Sequence, residues 1–283
     1  MPITDATCKS RFSRSGSRSI RAASTACTVA LSFWLGWCLC WAGRLQAGLE
    51  ELDRCRRLTT EDGVAEMSCY ALSWAAEAYY YAHDAERALA SARQAEEISR
   101  SLGEPPVLVG AAQLAFGYAH LAAGRAADAI EPARASLDLH GRANKANAGM
   151  SAALLAEALL QTGDLSAAQC TAEESIALCR RSLRAVYEAA AYGVLARALL
   201  RRDGTAAREV VEAALENAAA LVERTGAKTL APSLCEWRAE LAAVLGDDVT
   251  RAQLLQQAQH GYDEIGAPKH VERVARLLAE SPR

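Results

Sequence analysis

Histidine, cysteine and paired carboxylates are the side chains that ligate metals, attack carbonyl carbon or move protons, so their spacing is the first thing to weigh. His83, His120, His140, His260 and His270 are scattered along the chain with no HExxH and no close His/Asp/Glu cluster. This pattern favours packing or solvation over metal binding. The nine cysteines, at positions 8, 27, 38, 40, 55, 69, 170, 179 and 235, are odd in number and contain no CxxC pair. That argues against a disulfide framework or a zinc site and for a reducing compartment, with Cys38 and Cys40 read as small buried hydrophobes in a helix. Gly226-Ala227-Lys228-Thr229 mimics the end of a phosphate loop but lacks adjacent Gly-Lys and a preceding strand, so it reads as a helix-terminating turn. Gly16 in SRSGSRS is no nucleophile elbow. Arginine clusters at Arg54, Arg56 and Arg57, at Arg180, Arg181 and Arg184, and at Arg201 and Arg202 fall late in helical stretches, where cations complement the helix dipole. No catalytic, metal-binding or cofactor-binding residue emerges, and the chain reads as a non-enzyme.

The elements that hold these residues follow from composition and period. Of 283 residues, 51% are hydrophobic and only 6% aromatic, with Gly and Pro sparse, a mixture that favours helix over sheet. Thirty-one Lys and Arg against 34 Asp and Glu leave no global basic field, so nucleic acid is not the expected partner. A unit of apolar helix, short polar turn and second helix then recurs. Anchored at Gly43, His83, Gly124, Gly163, Asp203 and Gly246, its spacings are 40, 41, 39, 40 and 43. Seven residues before each anchor stand Gly36, Ala76, Gly117, Ala156, Ala196 and Ala239, small every time. Two antiparallel helices approach closely only where little more than a Cβ stands at the crossing. Five residues after the anchor come Gly48, Ala88, Ala129 and Ala168, while Arg208 and Arg251 break the row. Lengthened turns at Asp203-Gly204 and at Gly246-Asp247-Asp248 are therefore expected. Gly suits a turn with φ > 0 and Asp suits the cap of the following helix.

The Leu-small pair, turn glycine and early alanine resemble the tetratricopeptide repeat over roughly residues 29–265, with a period near 40 where the standard repeat has 34. Thr60 and Arg100 stand near the place of the usual closing proline. The resemblance implies an all-α fold: a right-handed superhelical solenoid of about six hairpins (residues 22–266), closed by a capping helix and tail (267–283) that begins at Pro268 and runs to Glu280. The run ending GAPKHVERVARLL is similar to the close of bacterial proteins that join a class III adenylate/guanylate cyclase domain, an AAA-type ATPase domain and a helical-repeat tail. Neither a Walker GxxxxGK[ST] nor a cyclase segment is present, so only the tail is matched. The implied function is a protein-interaction or sensor module of a signalling protein, with a protein or peptide segment in the concave groove and a cyclase or ATPase as a further partner.

In such arrays the first helix of each hairpin lines the groove. That places Tyr70, Glu77, Tyr80, Tyr81, Tyr118, Glu157, Gln161, Arg197 and Arg201 as candidate peptide-binding residues. Tyr80 and Tyr81 suit either recognition or packing between repeats, and the Lys/Asn carboxylate clamp of chaperone-binding arrays is not evident. Residues 1–21 read as a disordered basic leader rich in Ser and Arg, and the uncharged stretch Ala22–Gly43 has two readings. It is either the first helix of a hairpin, packed on Leu45, Leu49 and Leu52, or a signal or membrane anchor for an exported scaffold. Replacing Gly124 or Gly163 by Ala is expected to cost about 1 kcal/mol, read by urea denaturation, because an L side chain is strained at positive φ.

Overall fold

The computed structural model describes residues 26–62 and 65–279, and they are helical throughout apart from short turns. In chain order the helices are α1 (26–41), α2 (Leu45–Asp62), α3 (Ala65–Tyr81), α4 (Ala85–Ser101), α5 (Pro106–Ala122), α6 (Ala126–Ala143), α7 (Lys145–Thr162), α8 (Leu165–Ser182), α9 (Ala185–Asp203), α10 (Arg208–Thr225), α11 (Ala231–Val244), α12 (Asp248–Glu264) and α13 (Pro268–Ala279). Successive pairs form six hairpins, and α13 follows as a single helix. Proline opens α5 and α13, where its missing N–H is an orphan in any case.

The turns obey the expected chemistry. Gly43, Gly124, Gly163 and Gly246 all have φ between 69° and 88°. Asp84, Asp164 and Asp247 then cap the second helix, each carboxylate accepting from the backbone N–H three residues on, at 3.0–3.2 Å. A 3-10 turn, Gly204–Ala207, lengthens the fifth connection as expected. No such lengthening occurs at Gly246: α12 starts at Asp248, two residues past the glycine, as α6 and α8 do past theirs. Arg251 departs from the small-residue row, and the buried apolar residues of α12 come later, at Leu255 and Ala258.

At the crossings the space is as tight as the small residues require. A Cβ on Gly36 would lie 2.8 Å from Leu52 Cγ and 2.9 Å from the Gly48 carbonyl oxygen, and one on Gly117 would lie 2.6 Å from Leu154 Cδ2. The uncharged stretch of α1 is accordingly spent on a hairpin: Val29, Phe33, Cys40 and Trp41 are buried, against Leu45 and Leu52 among others. No helix among the described residues is long and apolar enough to cross a membrane. Cys38 departs from the reading of a buried pair: only Cys40 faces inward, and Cys38 is exposed. The leader, residues 1–21, lies outside the described residues.

An open trough was the expectation, and here the structure differs. The superhelix curves until its two ends meet. Trp37 Nε1 donates to Tyr187 Oη at 3.4 Å, the Thr229 hydroxyl donates to the Cys40 carbonyl, and the rings of His83 and His270 stand 4.9 Å apart. One apolar cluster joins Val29 and Phe33 of α1 to Ala239, Leu255, Tyr262 and Val274 near the other end. Closure has a physical reason in α1 itself. Trp37 and Trp41 point to the axis, and in an open trough they would stand in water; meeting α9 and the α10–α11 connection buries them, at roughly 25 cal/mol per Å².

Three non-glycine residues among those described, His83, Glu104 and Leu183, take positive φ in the turns that follow helices. Gly163 and Gly226 end α7 and α10 in the left-handed region, but α8 ends on Leu183 at φ 57°, with its side chain 89% exposed. Leu183→Gly is expected to raise stability by about 0.5–1 kcal/mol and Tm by about 2 °C, checked by calorimetry.

Candidate functional site

Closure turns the trough into a central cavity of about 400 Å³. Its walls come from the first helices α3, α5, α7, α9 and α11, with α12 and α13 completing the ring. Tyr80, Tyr81, Tyr118, Glu157, Gln161, Arg197 and Arg201 line it, and so do His83, Tyr187, Glu236, Trp237, Glu240, Tyr262, His270 and Arg273. Two candidates lie elsewhere. Tyr70 is half-buried one helical turn before Trp74, its ring 6.4 Å from Phe33, on the side of α3 that receives α1. Glu77 is fully buried beneath the wall, because the aromatic rings that close the array cover the edge on which it stands.

The cavity's charges come in pairs. Arg197 pairs with Glu157 and lays its guanidinium over the Trp237 ring at 5.4 Å, Arg201 meets Glu240 at 3.3 Å, and Arg273 clasps Glu236 with two bonds of 2.6 and 2.7 Å. Gln161 donates to Glu157 at 2.9 Å, and Tyr262 donates to Glu236 at 2.6 Å. Burial acts to raise the Glu157 carboxyl, but Arg197 with Gln161 outweighs it and holds the group below its ordinary value. Glu236 is likewise held low, with Arg273 overcoming the effect of burial. Burial, then Arg273 and His83, depress the His270 imidazole to about 3, so it stands neutral. Three cations facing three anions leave the lining without net charge. Burial pushes both the Tyr80 and the Tyr81 phenol up, so each keeps its proton.

Glu77 sits at the seam between the two ends. Tyr118 donates to Oε1 at 2.7 Å and Tyr187 to Oε2 at 3.0 Å, and Tyr187 in turn accepts from Trp37. Burial drives the carboxyl up to about 7, a rise the two tyrosine bonds and the Arg184 charge only partly offset. The histidines also needed the structure: His83 and His270, far apart in sequence, share one wall, and Tyr262 stacks on His270 at 4.4 Å. The signal for α11 in the cavity was present in part, since Glu236 and Glu240 stand on a helix that the repeat register assigns to the inner layer, whereas Arg273 comes from the helix expected only to cap the array. What pairs them is the ring closure. No group of three or more His, Cys, Asp or Glu among the described residues is arranged to hold a metal ion.

Six two-helix units in a constant register, with small residues at each crossing and the first helices inside, define the architecture. The array is of the tetratricopeptide-like kind. No family model and no curated protein matches the chain. Among solved structures it is similar to a Pyrococcus horikoshii signal transduction ATPase with numerous domains that carries a tetratricopeptide repeat sensor, at 13% identity and a TM-score of 0.49, over 81% of this chain and 36% of that one. The chain thus spans about a third of that protein's length. It is also similar to a Podosopora anserina kinesin light chain with nearly identical TPR-like repeats, at 18% identity and a TM-score of 0.43, over 70% of this chain and 95% of that one. At this similarity neither neighbour carries an argument, and the assignment rests on the hairpins themselves.

The buried carboxyl sets a pH dependence. A folded value near 7 against about 4.3 in the unfolded chain means that the native state holds the extra proton. Its contribution is fully present below about pH 4.3 and is lost as the pH rises through 7. Glu77→Gln keeps the hydrogen-bonding shape without the titration. It is expected to exceed wild type by roughly 1–3 kcal/mol at pH 8 and to show no such advantage at pH 4, measured by urea denaturation.

Proposed function

We propose that the chain is a non-catalytic sensor module of a bacterial signal-transduction protein, the counterpart of the helical tail that follows cyclase and ATPase domains, and that its ligand occupies the central cavity. One observation carries this reading: seven of the nine residues placed in the groove by the repeat register converge on a single cavity of about 400 Å³. That volume lies in the range of small-ligand sites and is too small for a folded partner surface. The partner is therefore a short peptide segment or a molecule of that size, not a protein face laid along a trough. The neutral balance of the lining disfavours a polyanion such as a nucleotide, which would have to break an Arg–Glu pair for every phosphate it engages. The closing phrase GAPKHVERVARLL, which forms α13 and its preceding turn, supports the link to cyclase- and ATPase-type regulators.

The residues suited to test this reading are the exposed ones. Tyr80 and Tyr81 pack on each other at 5.0 Å, and Tyr81 also packs on Trp41, so their truncation would damage the fold. Arg201 and Gln161 line the cavity from exposed positions. A thermal-shift screen of tri- and tetrapeptides is expected to yield ligands that raise Tm, with about 2.7 kcal/mol of stabilisation at a hundredfold excess over Kd. Arg201→Ala with Gln161→Ala should remove that rise while leaving the unliganded Tm within about 1 °C. Equal stabilisation of wild type and variant would place the ligand outside the cavity.

A further inference from the structure

In α1, the first helix among the described residues, the repeat register places an apolar face in the open. Three rows of each first helix face the preceding hairpin, at twelve, nine and five residues before the anchor. Trp74, in the middle row, stacks on Phe33 of the preceding helix at 4.0 Å, and Trp237, in the same row, fills the space over Gly193. In α3, α5, α7, α9 and α11 these rows read Ala71, Trp74, Ala78; Ala112, Ala115, Ala119; Ser151, Leu154, Ala158; Ala191, Val194, Ala198; and Leu234, Trp237, Leu241. All are at most 8% exposed. The same rows in α1 hold Leu31, Trp34 and Cys38. Leu31 is 70% exposed, Trp34 48%, and the adjoining Leu35 48%; Cys27 and Cys38 are exposed at the two ends of the stripe. The other large exposed hydrophobics among the described residues, Leu102, Leu183, Val210, Val244 and Val249, lie outside this helix. A contiguous apolar stripe at positions buried in every other unit is a docking surface, not scattered surface hydrophobicity.

We propose that this stripe is an isologous interface with a second copy of the chain, α1 packing antiparallel on α1 across a two-fold axis. The spacing is self-complementary. A dyad between Trp34 and Leu35 sets Trp34 opposite Leu35, Leu31 opposite Cys38, and Cys27 opposite Ala42, so that bulk meets bulk at the centre and small residues meet at the ends. All these positions fall within about 100° of the helix circumference, the width of a packed helix face. No charged residue occurs from Ala22 to Gly43, so the axis brings no like charges together. The small-residue ladders that cover first helices inside the array, such as Ala88, Ala92 and Ala95 of α4, are already buried in their own chain. What each copy has left to offer is the stripe itself, which continues the layer of first-helix packing beyond the first hairpin.

Light scattering on the full chain tests this. At about 100 μM, where even an interface of about 10 μM is mostly paired, the mass is expected at twice 30.1 kDa and should fall to 30.1 kDa on dilution. Cys38 should become less reactive to a thiol probe over the same concentration range, because the dyad places it under Leu31 of the other copy. Leu31→Glu should weaken association at least about 100-fold while keeping the helical circular dichroism and Tm of the wild-type monomer, and Trp34→Glu should weaken it as much at a lower Tm, because Trp34 also packs on Trp37 and Trp74 of its own chain. A chain that stays at 30.1 kDa with Cys38 reactive at every concentration overturns the proposal, as does a dimer that survives both substitutions. A monomer that instead co-sediments with phosphatidylcholine–phosphatidylglycerol vesicles, and loses this with Trp34→Glu, assigns the stripe to a lipid surface and equally overturns it.

Discussion

Backbone-to-backbone approach at the helix crossings is the constraint on which the molecule depends. Gly36 and Gly48 bring α1 and α2 together so closely that neither could carry a methyl group without moving its neighbour. Ala76, Ala156 and Ala196, all fully or almost fully buried, serve the same purpose in later hairpins. Because the chain meets this condition every forty residues or so, each hairpin presents its first helix to the same side. The inner surface is then a sum of equivalent positions. Everything that gives the centre its chemistry, from the tyrosines of α3 to the arginines of α9, is placed by that repetition.

The centre is a polar cavity whose charges balance. Desolvating an arginine is costly unless a carboxylate shares the site, and each cavity arginine has one. Arg197 adds the face of Trp237, while Arg273 adds contacts to His270 and the Tyr262 ring. Glu77 is the exception that lacks a cation within bonding distance. It is tolerated because two phenol hydroxyls satisfy its oxygens and its proton is retained near neutrality.

Local features were legible in the sequence, and long-range ones were not. The turn glycines and the aspartate caps depend on neighbours within one hairpin, and the small-residue rows on the same or the next one, where period and residue type carry the information. The cap helix was legible too, through the spacing of Val271, Val274 and Leu278. The meeting of Trp37 with Tyr187, 150 residues later, depends instead on the twist accumulated over four hairpins. A few degrees per repeat decide whether a solenoid stays open or closes, and no single residue announces that angle. For the same reason the burial of Glu77 and the approach of His83 to His270 were hidden. The 3-10 turn after Asp203 was visible because Arg208 falls where the row needs a small residue, yet the same sign at Arg251 misled, since there the turn keeps its ordinary length although the row is broken.

Open repeat arrays lose their ends independently, because each unit touches only its neighbours and their energetics add along one dimension. Here the first and last hairpins hold each other through Thr229, Cys40, Gly43 and Ile265. Neither terminus can fray without giving up contacts at both. Contacts between the ends thus add a coupling that a ladder lacks, and each terminal hairpin serves as a clasp on the whole ring, not merely as one link.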